Sequence, residues 1–397
     1  MNEQKWSVRV KRTRGAKFQR CLLSLMLTVV VGTGLALALC LGQDRSSIVR
    51  AASGQSLLHV QGTQLLDGNN RPVVLRGAMI ESPFAYLKQW QGGRDPLKIL
   101  NTTTFTAMSQ QWHMNAVRLD ISQWIYQLDP ATYMSRLDQA VAQANAAGLY
   151  VILDFHDTAQ SGAVAPYTDG MMHRVSLDWW KMLATHYLHN PMIIYDVLNE
   201  PKYTSWATWL HGDGADIVGY ADAIAAIRST GSQQIIVVEP GRAGGRTASE
   251  KGWATFDPAM ITDPNILYSR HIYHQIISGN PTIWDHAWGP LLNTRPIYYG
   301  EWAVLPHPDK ITHCTGLTST NADALTKAFL AYLDQRHANW TAWDFRPSHL
   351  IQNTRDFTPT TFAAAASWNC GGASGKHAGM GTAVLQYLNS ITSSSSA

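Results

Sequence analysis

Short runs of apolar, largely β-branched residues recur along the chain, and stretches of helical period fill the gaps between them. The runs are Val73–Ile80, Asn115–Ile121, Leu149–Phe155, Met192–Leu198, Gln234–Val238, Ile266–Ile272, Pro296–Tyr299 and Trp340–Phe345. Their starts lie roughly 30 to 45 residues apart, room for one strand, a crossover helix and the return. Between the second and third runs, Asp129 stands where a helix cap is needed and Pro130 fits the first turn, while Leu137, Val141 and Ala144 line one face. Gly148 stops that helix just before the next strand. A further helix is expected over about Ser176–His189, ended by Asn190-Pro191.

Each run is continuously apolar, the pattern of a strand covered on both faces, as in parallel sheets. Eight such units in series predict an α/β fold, a closed (β/α)8 TIM barrel. Ahead of it, a β-hairpin turning at Asp67-Gly68-Asn69-Asn70 is expected to plug the barrel floor. An open doubly wound sheet fits less well, because no Gly-rich phosphate loop follows the first run.

The N-terminus has a different pattern. Residues 1–20 carry seven basic side chains and one acid, and Cys21 to Gly42 is an uncharged apolar run of 22 residues. That exceeds the roughly 7–15 residues of a signal-peptide core and matches the roughly 20 that span a bilayer. The expected organisation is a basic segment with a signal peptide or transmembrane anchor over 1–42, a polar linker over 43–56, a catalytic domain over 57–390 and a Ser-rich tail over 391–397. A basic flank keeps the N-terminus inside and sends the C-terminal side of the span out. The globular part is therefore expected outside the cell, released or tethered to the outer face of the plasma membrane by residues 21–42. A monomer is expected, with membrane contact only through that segment.

Composition narrows the classes. A chain 45% hydrophobic and 15% charged is not disordered. The formal net charge of +3 belongs to the first twenty residues; residues 21–397 sum to −3, which leaves no electrostatic footprint for nucleic acid. Cys314 and Cys370 are the cysteines outside the apolar run and a candidate disulfide in an exported protein. Neither has metal-ligand spacing, and no metal or cofactor is expected.

A barrel carries its chemistry at the C-terminal strand ends, and those ends are polar in an orderly way. They read Arg118, His156-Asp157, Asn199-Glu200-Pro201, Glu239-Pro240-Gly241, His271 with Tyr273, Gly300-Glu301-Trp302 and Trp343-Asp344. Polar groups there are costly unless paired, so their convergence marks a site. Two carboxylates flanking one bond are what glycoside hydrolysis needs, one as proton donor and one as nucleophile or base. Glu200 and Glu301 end the fourth and seventh strands and are expected to face each other across the mouth.

The order of LRG (75–77), NAVRLD (115–120), VILDFHD (151–157), VLNEP (197–201), HIY (271–273), YGEW (299–302) and NWTAWD (339–344) resembles glycoside hydrolase family 5, the large cellulase-containing family, over about residues 57–390. The resemblance implies that Glu200 is the general acid/base and Glu301 the nucleophile of a retaining double displacement. It also implies that Asn199 binds the sugar 2-hydroxyl and that Arg118 and Tyr273 hold Glu301 ionised. His156 and His271 would bond sugar hydroxyls or the acid, and Trp343 would form the floor under the reacting sugar. The chain departs from the family's pattern at Ala78-Met79, where a polar group is usual. Trp302 is a subsite candidate, and Glu239 is open to substrate contact or loop anchoring. Trp179, Trp180, Trp206, Trp209, Trp253, Trp284, Trp288 and Trp368 are expected mainly to pack, though several come after strands four to six, where loops border a saccharide cleft.

The implied activity is hydrolysis of a neutral β-glucan, cut internally as by an endo-β-1,4-glucanase; β-mannanase or β-1,3-glucanase action would use the same catalytic set. A metal-dependent barrel hydrolase would need His-x-His at the first strand, which LRGAMIES lacks. A non-catalytic saccharide-binding protein has no need of both carboxylates.

Overall fold

The computed structural model describes residues 56–158, 162–203, 205–240, 242–243, 252–273, 276, 278–304, 319–347, 349–362 and 379–394, all within one compact unit. The apolar run 21–42, the linker before Ser56, Cys314, Cys370 and Trp368 lie outside the described residues. Among the described residues, no helix is long and apolar enough to cross a membrane.

The unit opens with β1 (His59–Gln61), β2 (Gln64–Leu66) and β3 (Pro72–Val73), a small antiparallel sheet. β2 and β3 turn through Asp67 to Asn70 as expected, the Asp67 carboxylate accepting the N–H groups of Asn69 (2.8 Å) and Arg71 (3.0 Å). Next come β4 (Arg76–Ile80), β5 (Ala116–Ile121), β6 (Tyr150–Phe155), β7 (Met172–His173), β8 (Ile193–Asp196) and β9 (Lys202–Tyr203). The series ends with β10 (Ile217–Val218), β11 (Ile236–Val238), β12 (Arg242–Ala243), β13 (Ile266–Ile272), β14 (Ile297–Trp302) and β15 (Asn339–Ala342). Strands β4, β5, β6, β8, β11, β13, β14 and β15 pair in parallel in that order, and β15 closes on β4 to complete the barrel. The two-residue ladders β7–β10 and β9–β12 belong to the connecting loops.

The first apolar run is two strands, because the chain changes partners within it. Val73 pairs with the hairpin, while Leu75 and Arg76 give their N–H groups to the side chains of Asn339 and Asn115 at the barrel edge. The helix Pro130–Ala146 begins and ends as read. Asp129 accepts from Thr132 N–H, Leu137, Val141 and Ala144 are buried, and Gly148 takes φ 86°. The next helix is Arg174–His186, shorter at its end than expected. Gln234 Nε2 bonds the carbonyls of Tyr187, Leu188 and Asn190, which lets the chain leave the helix without stranding them. The last helix, Gly381–Ser394, runs into the expected Ser-rich tail. The hydroxyls of Thr392 and Ser393 bond carbonyls one turn back (both 2.9 Å).

Inward-facing side chains alternate along each strand and stack in layers. The lowest layer is apolar: Ala116, Ile152, Ile194, Val237, Leu267 and Tyr298 pack with Leu58, Leu65 and Leu75, so the hairpin does plug the floor. Two residues higher, the inward positions hold Arg118, Asp154 and Asp196, all buried. The mouth lies above them.

Candidate active site

Arg118 is wholly buried and uses its whole fork. Nε donates to Asp196 (2.9 Å), Nη2 meets Asp154 (2.9 Å) and Asn199 Oδ1 (3.0 Å), and Nη1 donates to Glu301 Oε1 (2.7 Å). Burial opposes its charge, but the three carboxylates keep it firmly protonated. Met79 Sδ packs 3.4 Å from Nη1, so the position where the chain departs from the family's pattern supplies a soft contact under the guanidinium.

Glu301 reaches Arg118 through a bulge. Between its pairings at Tyr298 and Glu301, β14 carries one residue more than β13, and the same excess appears against β15. Gly300 fills the crowded position; a Cβ there would lie 2.6 Å from Ser269 Oγ and 3.0 Å from His271 Nε2. Glu301 thus points into the mouth, where its other oxygen accepts from Tyr273 Oη at 2.6 Å. Burial pushes its carboxyl up, but the charges of His271 and Arg118 more than offset this and hold it below the usual range.

Glu200 lies just past β8 with φ 45°, and its side chain is the most open of the set at 42% exposure. Its Oε1 lies 3.3 Å from His271 Nδ1, which is also 3.4 Å from Glu239 Oε1 and 3.5 Å from Glu301 Oε2. One oxygen each of Glu200 and Glu301 and a His271 ring nitrogen all lie within 4.8 Å of one another. Glu239 is buried, and its Oε2 accepts the Glu200 N–H (2.9 Å). His156 Nδ1–H donates to Asp154 Oδ2 (2.7 Å), and its Nε2 lies 3.4 Å from Asn199 Nδ2. Burial works against charge on both imidazoles, yet neighbouring carboxylates raise His156 to about 10 and His271 to about 9. Two triads, Asp154–His156–Glu301 and Glu200–His271–Glu301, have the separations of metal ligands. In each of them the neighbouring carboxylates favour the protonated form of the imidazole.

Trp343 is half-buried at the rim. Tyr273 and His349 stand edge-on to it (6.2 and 4.6 Å between centroids), and the Arg346 guanidinium lies 5.1 Å from its ring centre. Trp302 is a correction: it is fully buried, 5.2 Å from Phe329 and 5.7 Å from Trp340, outside the mouth. With Glu301 turned inward by the bulge, its neighbour must turn outward into the helical shell. Trp179, Trp180, Trp209, Trp253, Trp284 and Trp288 are core, and Trp206 is half-buried, stacked 5.7 Å from Trp253. Asp157 takes Ser122 Oγ and the Trp124 N–H, fixing the start of the helix Gln123–Leu128.

Two groups of residues escaped the sequence reading. Asp154 and Asp196 sit inside apolar runs; a lone acid in such a strand was the available signal. At the rim beside Trp343, Glu81 bridges Tyr86 Oη (2.9 Å) and Arg346 Nη1, while Arg346 also reaches buried Asp344.

The family model described as Cellulase (glycosyl hydrolase family 5) matches residues 66–349. Endoglucanase MaCel5A of Microbulbifer sp. (strain ALW1) is 25% identical over 329 residues, 82% of this chain and 55% of its own length. Endoglucanase E-5 of Thermobifida fusca is 25% identical over 320 residues, 79% of this chain and 60% of its own. The chain thus spans little more than half the length of these relatives. In fold it is similar to the β-glucanase SdGluc5_26A of Saccharophagus degradans, solved with cellotetraose: TM-score 0.62, 20% identity, 85% of this chain and 94% of that one. The catalytic domain of Thermobifida fusca endoglucanase Cel5A, also with cellotetraose, gives 0.56 at 22% identity, covering 84% and 97%. The match of the family model over most of the chain, on a barrel whose polar strand ends converge as described, places this protein in glycosyl hydrolase family 5.

Proposed function

We propose that this chain is a retaining endo-β-1,4-glucanase, with Glu301 as nucleophile and Glu200 as acid/base. The observation that carries the reading is the approach of the two carboxylates, oxygen to oxygen within 4.8 Å. Retaining enzymes need about 5–5.5 Å between the groups, whereas inverting ones leave about 6.5–9.5 Å for a water. In the first step Glu301 bonds the anomeric carbon as the glycosidic C–O bond breaks, and Glu200 gives its proton to the departing oxygen. In the second, Glu200 takes a proton from water, whose oxygen displaces Glu301. Arg118 and Tyr273 favour the ionised nucleophile, which suits it to attack. Asn199, held by Arg118, is assigned to the 2-hydroxyl of the reacting sugar, and half-buried Trp343 to the sugar face. The relatives named endoglucanases, and neighbours of this fold bound to cellotetraose, support a β-glucan substrate. The basic residues 1–20 and the apolar run 21–42 support export of the catalytic unit, released or tethered.

Trapping with a 2-fluoro β-cellobioside and then peptide mass spectrometry tests the core of this reading. The label is expected on Glu301; a label elsewhere, or none in an enzyme that turns over, overturns it. Hydrolysis of cellulose, mannan, xylan and laminarin by one preparation checks the substrate, and dominant mannan or laminarin cleavage would replace the glucanase assignment.

A further inference from the structure

Glu239 is a buried carboxyl, 2% exposed, for which the double displacement has no use. It comes directly after β11, and its own carbonyl accepts Trp209 Nε1 at 2.8 Å, which fixes its main chain. One oxygen accepts the main-chain N–H of Glu200 (2.9 Å), and the other lies 3.4 Å from His271 Nδ1. Both partners need holding. Glu200 has φ 45°, a conformation that residues with a side chain keep only where the surroundings enforce it. The single Nδ1 of His271 faces three carboxylates at 3.3, 3.4 and 3.5 Å and can give its proton to one at a time.

We propose that Glu239 is a positioning residue for the acid/base step: it clamps the Glu200 main chain and, with His271, fixes where the Glu200 carboxyl meets the leaving oxygen. The inference rests on the assignment of Glu200 as acid/base. The environment of Glu239 agrees with it. Burial pushes its carboxyl up to about 8, the His271 charge offsetting only part of this, as expected of an acid enclosed with a single cationic partner.

The test compares kcat/KM on two substrates. Cellotetraose needs its leaving oxygen protonated, whereas 2,4-dinitrophenyl β-cellobioside departs without help. Glu239→Ala is expected to lower kcat/KM on cellotetraose about tenfold to hundredfold, part of what a general acid contributes, and on the dinitrophenyl glycoside less than about threefold. Glu239→Gln keeps a neutral acceptor of the same length and should restore most of the loss. Glu239→Asp, one methylene too short to span both partners, should fall with the alanine variant on cellotetraose alone. Equal losses on both substrates, or no loss on either, overturn the proposal. Should the alanine variant not fold, the Asp and Gln pair decides by the same criterion. A wild-type enzyme idle on both substrates would instead refute the glycosidase reading itself.

Discussion

Arg118 shows how much one side chain organises. Its fork joins Asp154, Asp196, Asn199 and Glu301 in a single buried set, which a point charge cannot do. Arg118→Lys should leave at least one buried carboxylate unpaired, costing about 1–3 kcal/mol in urea unfolding, and should lower kcat by at least about a hundredfold through loss of nucleophile orientation. His156 gives the pH-dependent counterpart. Its folded pKa is raised from 6.5 to about 10, with burial opposing and Asp154 prevailing, so its contribution to stability is complete below 6.5 and fades as pH rises through about 10. The melting temperature lost in His156→Gln should accordingly be largest on the acid side and shrink towards alkaline pH; a constant or growing difference contradicts the assigned charge. Arg118, Asn199, Glu200, His271, Tyr273 and Glu301 were legible in sequence because each interrupts or ends an apolar run. Asp154 and Asp196 were not singled out, because their meaning depends on which face of the strand points inward. That phase is set only when the barrel closes.

At the level of elements, the eight strands were legible from continuous apolar runs, and their order from the spacing. Their ends were not, because an apolar residue fits the sheet and the shell behind it equally well. The Trp302 error has a different origin, since alternation already turns the neighbour of an inward Glu301 outward; what strict alternation cannot foresee is the bulge that adds one residue to β14. That bulge is also where local structure and chemistry meet, since it aims Glu301 and brings Gly300 against Ser269 and His271. A methyl group at Gly300 has to displace His271 or the strand. Gly300→Ala is expected to cost about 1–3 kcal/mol by overpacking. It should also reduce kcat more than about tenfold, by shifting either Glu301 or the imidazole that Glu200 shares. Circular dichroism close to wild type, with turnover lost, is the result anticipated. Full activity would mean that the bulge does not set the nucleophile.

On the scale of the whole molecule, the barrel separates a floor that holds it together from a mouth that carries the chemistry. The count of βα units predicted this architecture, and a hairpin placed ahead of the first barrel strand predicted what closes the bottom; how the floor layer interlocks depends on shapes that sequence does not display. Leu65 of β2 packs among Leu58, Leu75, Tyr150, Ile152 and Ile194, fully two inward layers below Glu301. The layer between them is the ionic set around Arg118, whose partners are fixed by hydrogen bonds and not by the packing beneath. A cavity at the floor should therefore be felt as stability and not as geometry at the mouth. Leu65→Ala is expected to cost about 2–5 kcal/mol, the range for deleting a buried leucine side chain. At temperatures well below the lowered melting point, kcat and KM on cellotetraose should stay within about twofold of wild type, since distant sites without shared partners act independently. Thermal melts and steady-state kinetics on the same preparation make the comparison. A drop in kcat matching the drop in stability would show that floor and mouth are mechanically coupled through the Arg118 layer, and the separation argued for this barrel would fail.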